Sequence, residues 1–368
     1  MKILIVSQEY PPMLGGAGMV ARQNAESLAG RGHQVTVLTR IAGSCLEKSH
    51  QINIVGVPGG SKFWVLFFAL KLRLMDLGKF DTIIINDVGA ALVFSLSFFG
   101  ENIHSRCFVY FHGSECNKFF IKPSIFFKIF YLRKKYKKFL SQCHKIISVS
   151  YFLKNEIVRY LPSDFDIQKI KVVSNGVDHS MFRPTLSDVR SDLGIPRSTI
   201  LLFSVGRIVK EKGFFVMLDL FEKLSQGPNR FFWIVAGNGP DLETLKVQAA
   251  QGNVSDNIRF LGPVARDELP RYYSAADLFW LLSSREAFSL VSIEAQMCGC
   301  PVLCLGGHGM SETILSRDSG FVVDNASLAL DVLAQLRFKE LNRKKIRTSA
   351  KRFSVERQID MLESVLFS

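Results

Sequence analysis

Nowhere in the 368 residues does an uninterrupted apolar run reach the roughly 18 residues that a membrane-spanning helix needs. The longest candidate, residues 83–99, is broken by Asn86 and Asp87, and the run 63–70 stops at Lys71. The opening apolar stretch after Lys2 is too short for a secretory leader, because Gln8, Glu9 and the pair Pro11 and Pro12 follow it. A buried first strand is expected there instead. Cysteine is sparse: seven residues, an odd number, scattered along the chain. Without an export signal, that usage predicts a reducing cytoplasm and no disulfide framework. Cys298, Cys300 and Cys304 crowd together, but their spacing is not that of a zinc site, so they read as small buried hydrophobes. His33, His50, His104, His144, His179 and His308 show no metal spacing either, and His308 is expected in a solvated loop. No metal is expected. Internal repeats and low-complexity segments are also missing. With 48% hydrophobic and 21% charged residues, extended disorder is excluded.

One absence is local. Between Glu115 and Glu156 there is no acidic residue, while Lys118, Lys122, Lys128, Arg133, Lys134, Lys135, Lys137, Lys138, Lys145 and Lys154 are interleaved with aromatics such as Phe119, Phe126, Phe130, Tyr136 and Phe139. The chain as a whole carries +13. A helix packing on a sheet accounts for many of these aromatics. The surplus of charge suits an anionic membrane surface, and the Lys118–Lys154 stretch is the expected contact. Nucleic acid is not expected, because no nucleic-acid module is visible.

What is present is a repeated alternation. Apolar runs at 2–7, 34–39, 82–86, 107–111 and 145–150 form one series, and runs at 200–205, 231–236, 257–261, 278–282, 301–305 and 320–323 form a second. Most are continuous rather than alternating, as parallel strands covered on both faces require. Helical patterns at 19–31, 214–225, 241–250, 267–275 and 290–298 lie between them. This predicts an α/β chain of two Rossmann-like, doubly wound parallel-sheet domains, residues 1–178 and 179–352. A final amphipathic helix over about 353–368 is expected to pack back on the first.

Two motifs carry charge. Gly206 and Arg207 end one strand, and Lys212 with Gly213 follow five residues on. Glycines allow close backbone approach, and a cation pair beside a helix start makes an anion site. Taken alone, the segment is as consistent with a solvated basic turn. Glu286 stands on a loop after a strand and Glu294 in the helix that follows. Such carboxylates can grip two parts of one ligand through its hydroxyls, while the N–H groups of Phe288, Ser289 and Leu290 point at an anion. Two ordinary surface glutamates would look the same.

In combination these pieces are specific. G-R-x4-K-G, then E-x7-E, then C-G-x-P resembles the retaining GT-B glycosyltransferases of sequence family four. The resemblance takes in Tyr10-Pro11-Pro12 and Gly15-Gly16, His112-Gly113-Ser114-Glu115, Asn175-Gly176-Val177-Asp178, Ala236-Gly237-Asn238-Gly239-Pro240, Phe260-Leu261-Gly262 and the closing Phe353 to Arg357. It implies a GT-B fold with two facing domains and an interdomain cleft. It implies that Arg207 and Lys212 bind the diphosphate of a UDP- or GDP-sugar, that Glu286 holds the transferred sugar, and that Glu294 holds the ribose. Val264 would flank the base, with Gly206, Ala287, Phe288, Ser289 and Leu290 completing the donor site. Gly16 would let the donor phosphate approach, and His112 would meet the sugar. Gly15, Asp87 and Glu115 are the acceptor-side candidates. Front-face attack with retention is implied, with no cofactor and no required metal beyond the nucleotide-sugar co-substrate. A glycan or lipid-linked acceptor in cell-surface polysaccharide, lipopolysaccharide or glycolipid assembly is implied too, with the enzyme peripheral on the cytoplasmic face of the inner membrane.

The sequence departs from that pattern in places. Ala287 and Ser289 stand where glycines are usual, and Leu305-Gly306-Gly307-His308 replaces a more acidic turn before Gly309. A histidine usual near Asp87 is absent, with Asn86-Asp87 in its place, and Asp87 reads as a helix cap ahead of an acceptor contact. Asp164-Phe165-Asp166 resembles a metal motif of another glycosyltransferase fold but lies in the wrong context, so a surface turn is expected. The main rival is an NADP-dependent oxidoreductase, since Gly16, Gly18 and Ala21 match G-x-G-x-x-A and Arg40 would suit a 2′-phosphate. Against it, a dinucleotide turn needs its first glycine at the strand end, and residues 8–15 intervene. A nucleotide-sugar epimerase or phosphorylase on the same twin-domain plan is a second rival, and a non-catalytic sugar-binding protein a third.

Overall fold

A computed structural model describes residues 1–11, 15–41, 52–58, 64–96, 99–121 and 131–368. The chain divides into two compact units, Met1–Asn175 with Val355–Ser368, and Gly176–Ser354.

The first unit runs β1 (Lys2–Ser7), α1 (Gly16–Gly30), β2 (Gln34–Ile41), β3 (Ile52–Pro58), α2 (Trp64–Leu74), β4 (Thr82–Ile85), α3 (Val88–Leu96), β5 (Cys107–Phe111), α4 (Leu132–Gln142), β6 (Lys145–Ser148), α5 (Tyr151–Tyr160) and β7 (Ile170–Val172). Its sheet has the order β3-β2-β1-β4-β5-β6-β7, and every pair is parallel. β1, β4 and β5 are buried along nearly their whole length, which is why their sequences are unbroken apolar runs. β3 and β7 were not among the expected strands. Both lie at sheet edges, and Asn53, Gly56 and Pro58 give β3 the composition of a loop.

The second unit runs β8 (Ile200–Val205), α6 (Phe214–Ser225), β9 (Phe231–Ala236), α7 (Leu242–Gln251), β10 (Ile258–Gly262), α8 (Leu269–Ala275), β11 (Leu278–Leu281), α9 (Leu290–Met297), β12 (Val302–Leu305), β13 (Gly320–Val323), α10 (Ala326–Ala334) and α11 (Arg343–Ala350). The order is β10-β9-β8-β11-β12-β13, again all parallel. Trp233 and Trp280 are fully buried at its centre. Trp233 Nε1 donates to Ser204 Oγ at 3.0 Å, and that hydroxyl donates to the Trp280 carbonyl at 2.8 Å. The last helix, α12 (Val355–Leu366), belongs to the first unit. Gln358 Nε2 donates to Asn24 Oδ1 of α1 at 2.8 Å, and Arg31 pairs with Asp360 and Glu363.

In each sheet the strand order reverses once, between β1 and β4 and between β8 and β11. Loops at the carboxyl ends of those neighbouring strands diverge to opposite faces and leave a crevice, the usual ligand position in open α/β sheets. The fold therefore singles out the loops after β1, β4, β8 and β11.

Among the described residues no helix is long and apolar enough to cross a membrane. Of the basic aromatic stretch, residues 122–130 lie outside the described residues. In the rest, Phe119, Phe120, Tyr136 and Phe139 are buried and pack ring against ring, so these aromatics serve the core. Asp164–Asp166 form a surface turn whose Asp166 caps a short 3-10 segment. The six described cysteines are buried and form no disulfide with one another, and burial pushes the Cys300 and Cys304 thiols up to about 12.

Candidate active site

In the second unit, the path from β8 to α6 is fixed by glycines. Gly213 has φ +76°, and a Cβ there would stand 2.0 Å from the Leu282 carbonyl oxygen at the end of β11. Only glycine permits that approach. The contact is reinforced by Ser284 N and Ser283 Oγ, which donate to the Glu211 carbonyl at 2.8 and 2.9 Å. This pins Lys212 against the loop after β11, where its ammonium pairs with the carboxylate of Glu286. The two residues are 74 positions apart in sequence. Their side chains are 28% and 12% exposed, so the pair is largely withdrawn from water yet reachable.

Gly206 and Arg207 stand on the loop that carries Lys212, and Ala287, Phe288 and Ser289 on the loop that carries Glu286. Gly206 leaves open space where a Cβ would be, and Arg207 beside it is exposed, with no ion pair to any described residue. Gly237 and Gly239 pack their Cα atoms against the carbonyls of Gly206 and Ile208, which holds the Arg207 loop in place. Ser289 is the N-cap of α9, but its buried hydroxyl finds no hydrogen-bond partner and does not cap the helix. The N–H groups opening α9, with Ala287 and Phe288 just before and Leu290 at its start, are therefore not masked by a side chain. Val264 is half-buried beyond Gly262, whose carbonyl accepts from Gly237 N at 2.7 Å.

Glu294 is set deeper. Its side chain is 4% exposed, and its Oε1 accepts from Arg266 Nε and Nη2 at 3.1 and 2.8 Å. Tyr273 donates to its other oxygen at 3.3 Å. Burial raises the carboxyl pKa, and Arg266 opposes that shift. Arg266 and Tyr273 were absent from the sequence-derived set. Nothing in the V-A-R-D-E context of Arg266 marks it, and only the fold brings it to Glu294.

His308 overturns its expectation. It is 4% exposed rather than solvated. The cause is Gly309, whose N–H donates to the Glu286 carbonyl at 2.7 Å and whose Cα lies against the Ala287 carbonyl, drawing the loop inward. Burial lowers the His308 pKa, Glu286 raises it, and Lys212 lowers it further.

In the first unit the loops after β1, β4 and β5 meet. Asp87 is buried and fully engaged. Its Oδ1 caps α3 through Ala90 N at 2.9 Å, and its Oδ2 accepts from Ser7 Oγ and from the N–H groups of Gln8 and Glu9. Its pKa is raised by burial. Glu115 is equally engaged, its Oε2 accepting from His112 N at 3.0 Å and Gly113 N at 2.8 Å, and burial pushes it up to about 7. These two acids hold the loops in shape. His112 ends up half-buried, stacked on Tyr110 with ring centroids 5.1 Å apart. Burial brings its pKa down to about 4, against a hydrogen bond to the Asn86 backbone, so the ring is neutral near pH 7. Gly16 opens α1 with free space at its Cα, and no side chain caps that helix. The Glu9 carboxylate lies where a Cβ on Gly15 would stand, so a larger residue there would displace that side chain. Glu9 was not among the expected site residues. Its pKa is raised by burial and by Asp87, and Lys118 lowers it.

Among the described residues no cluster of His, Cys, Asp and Glu could hold a metal ion.

Comparison with known proteins places this geometry. The model for glycosyl transferases group 1 matches residues 187–352, and the model for glycosyltransferase family 4 matches residues 14–181. A glycosyltransferase of Methanocaldococcus jannaschii is 28% identical over 92% of this chain and 91% of its own. The alpha-monoglucosyldiacylglycerol synthase of Streptococcus pneumoniae is 27% identical over 87% of this chain and 74% of its own. Among solved structures, sucrose-phosphate synthase from Thermosynechococcus elongatus superposes with a TM-score of 0.82 at 20% identity, over 99% of this chain and 98% of its own. Anabaena HepE in complex with UDP and glucose superposes with a TM-score of 0.78 at 19% identity, over 100% and 99%. The two structural likenesses show the fold, and the two family models, end to end, show the kinship. The chain belongs to the family 4 glycosyltransferases and has their GT-B fold.

Proposed function

We propose that this glycosyltransferase moves a hexose from a UDP- or GDP-sugar to a glycan or lipid-linked acceptor with retention of anomeric configuration, in cell-surface polysaccharide or glycolipid assembly. The observation that carries the donor half is the Lys212–Glu286 pair at the strand-order reversal of the second sheet, flanked by exposed Arg207 and the uncapped start of α9. A cation suited to a diphosphate and a carboxylate suited to sugar hydroxyls stand in contact. Arg207, Lys212 and the first turns of α6 and α9 meet the diphosphate charge that grows as the anomeric C–O bond breaks, the electrostatic role a metal ion plays elsewhere. The acceptor oxygen forms the new bond on the same face, and its proton passes to the departing phosphate. Glu294 keeps lone pairs beside Arg266 and Tyr273 for the ribose hydroxyls. Within the first unit, Gly16 and His112 are proposed as donor-contacting residues, and Gly15, Asp87 and Glu115 as those that shape an acceptor site. UDP as the nucleotide draws support from the Anabaena HepE complexes with UDP and with UDP-glucose, and a lipid acceptor from the diacylglycerol-modifying relative.

A thermal-shift panel of UDP, GDP, ADP, CMP, NAD and NADP without added metal tests the reading. Stabilisation by one nucleoside diphosphate is expected. Stabilisation by NADP alone would overturn it.

A further inference from the structure

Helix α2, Trp64–Leu74, is apolar all round except for Lys71 and Arg73, and a helix of that composition is normally enclosed. It is not enclosed here. Phe68 and Leu72 are fully buried against the first unit, whereas Leu66, Phe67, Leu70 and Leu74 are 65%, 41%, 54% and 75% exposed. At about 100° per residue, these four side chains fall within an arc of about 100°. Arg73 lies roughly 20° beyond one edge of that arc and Lys71 roughly 40° beyond the other. No acidic residue occurs in the helix. The outer face is therefore an apolar stripe bordered on both sides by cations.

We propose that the outer face of α2 lies in the interfacial layer of an anionic lipid bilayer, with Leu66, Phe67, Leu70 and Leu74 among the acyl chains and Lys71 and Arg73 at the headgroups. The pattern is that of a helix lying in the membrane plane. Charge complementarity selects this occupant, because cations on both margins would repel each other across a symmetric contact between two copies, and a stable protein interface recruits roughly 20–30 residues a side rather than one short stripe. The assignment differs from the one the sequence offers. In the Lys118–Lys154 stretch Phe119, Phe120, Tyr136 and Phe139 are spent on the core, and the exposed Ile121, Tyr131 and Tyr151 stand on separate segments, while the outer apolar side chains of α2 share one face and are open to insertion.

The inference stands apart from the transfer reaction, since it is read without donor or acceptor. Trp64 is a built-in reporter: it opens α2, and the other two tryptophans, Trp233 and Trp280, are buried in the second unit. Full-length protein is mixed with phosphatidylcholine vesicles, with and without phosphatidylglycerol, and then with brominated forms of the same lipids. The expected result is co-sedimentation that needs phosphatidylglycerol, with quenching of the Trp64 emission by brominated chains. Leu66→Glu with Leu70→Glu should weaken partition by at least tenfold, since each leucine withdrawn from water is worth roughly that much. Lys71→Ala with Arg73→Ala, which leaves the packing of Phe68 and Leu72 intact, should remove most of the preference for anionic lipid. Absence of binding to phosphatidylglycerol vesicles overturns the proposal. So does binding without quenching that survives the leucine substitutions, which would move the contact to the exposed lysines of α4. So does a concentration-dependent dimer that shields Trp64 in the absence of lipid.

Discussion

Lys212 and Glu286 pair with each other, so under the proposed function donor binding would exchange partners, the ammonium turning to phosphate and the carboxylate to sugar hydroxyls. Two substitutions separate these roles. Lys212→Ala removes one charge-assisted hydrogen bond to the diphosphate, worth about 1.5–3 kcal/mol, and leaves the Glu286 charge facing the phosphates. The Kd for UDP should rise about tenfold to a hundredfold. Glu286→Gln removes the anion that competes for Lys212. The pair is partly exposed, so that competition is worth at most about 1 kcal/mol. The Kd for UDP should hold or fall by up to about fivefold, while transfer from UDP-glucose drops by about tenfold to a hundredfold for the lost bonds to hydroxyls. Isothermal titration with UDP and a transfer assay with UDP-glucose, at one ionic strength, read both. If Glu286→Gln weakens UDP as much as Lys212→Ala does, the pair acts as a structural unit and the division between phosphate and sugar is refuted.

Gly213→Ala imposes a left-handed conformation, about 1–2 kcal/mol for an L residue, and drives a methyl into the Leu282 carbonyl. A total loss of roughly 2–4 kcal/mol is expected, lowering Tm by several degrees, with UDP binding lost as Lys212 shifts. Unchanged Tm and UDP affinity would refute the account of that turn. Glu115 supplies a pH dependence. Its folded value, about 7, lies above the ordinary 4.5, so between these values the folded state holds a proton that the unfolded chain has released. Stability should fall as pH rises through that window, by at most about 3 kcal/mol, and level off above it. Denaturant titration of Glu115→Gln should show that step removed, and an unaltered step would assign it to another group.

How far the sequence reached differs from element to element. All six strands of the second sheet and its glycine turns are legible in the chain, because buried parallel strands must be apolar throughout and turns with positive φ select glycine. Gly206, Arg207, Lys212, Glu286 and Glu294 could be read as a set because two short motifs carry them in fixed order. The sequence determined which side chains of the second unit bear charge, and that Arg207, Lys212 and Glu286 stand on segments following strands while Glu294 stands in a helix. The tertiary structure alone decided whom those charges meet. Lys212 finds Glu286, Arg266 finds Glu294 and His308 is drawn out of solvent by Gly309, and no local pattern encodes any of these meetings. The same holds for surfaces. An aromatic stretch rich in lysine and the short apolar run of α2 look alike as residues, and only packing shows that Phe119, Phe120, Tyr136 and Phe139 of the first are buried while Leu66, Leu70 and Leu74 of the second are bare, because burial belongs to the neighbours that the fold supplies.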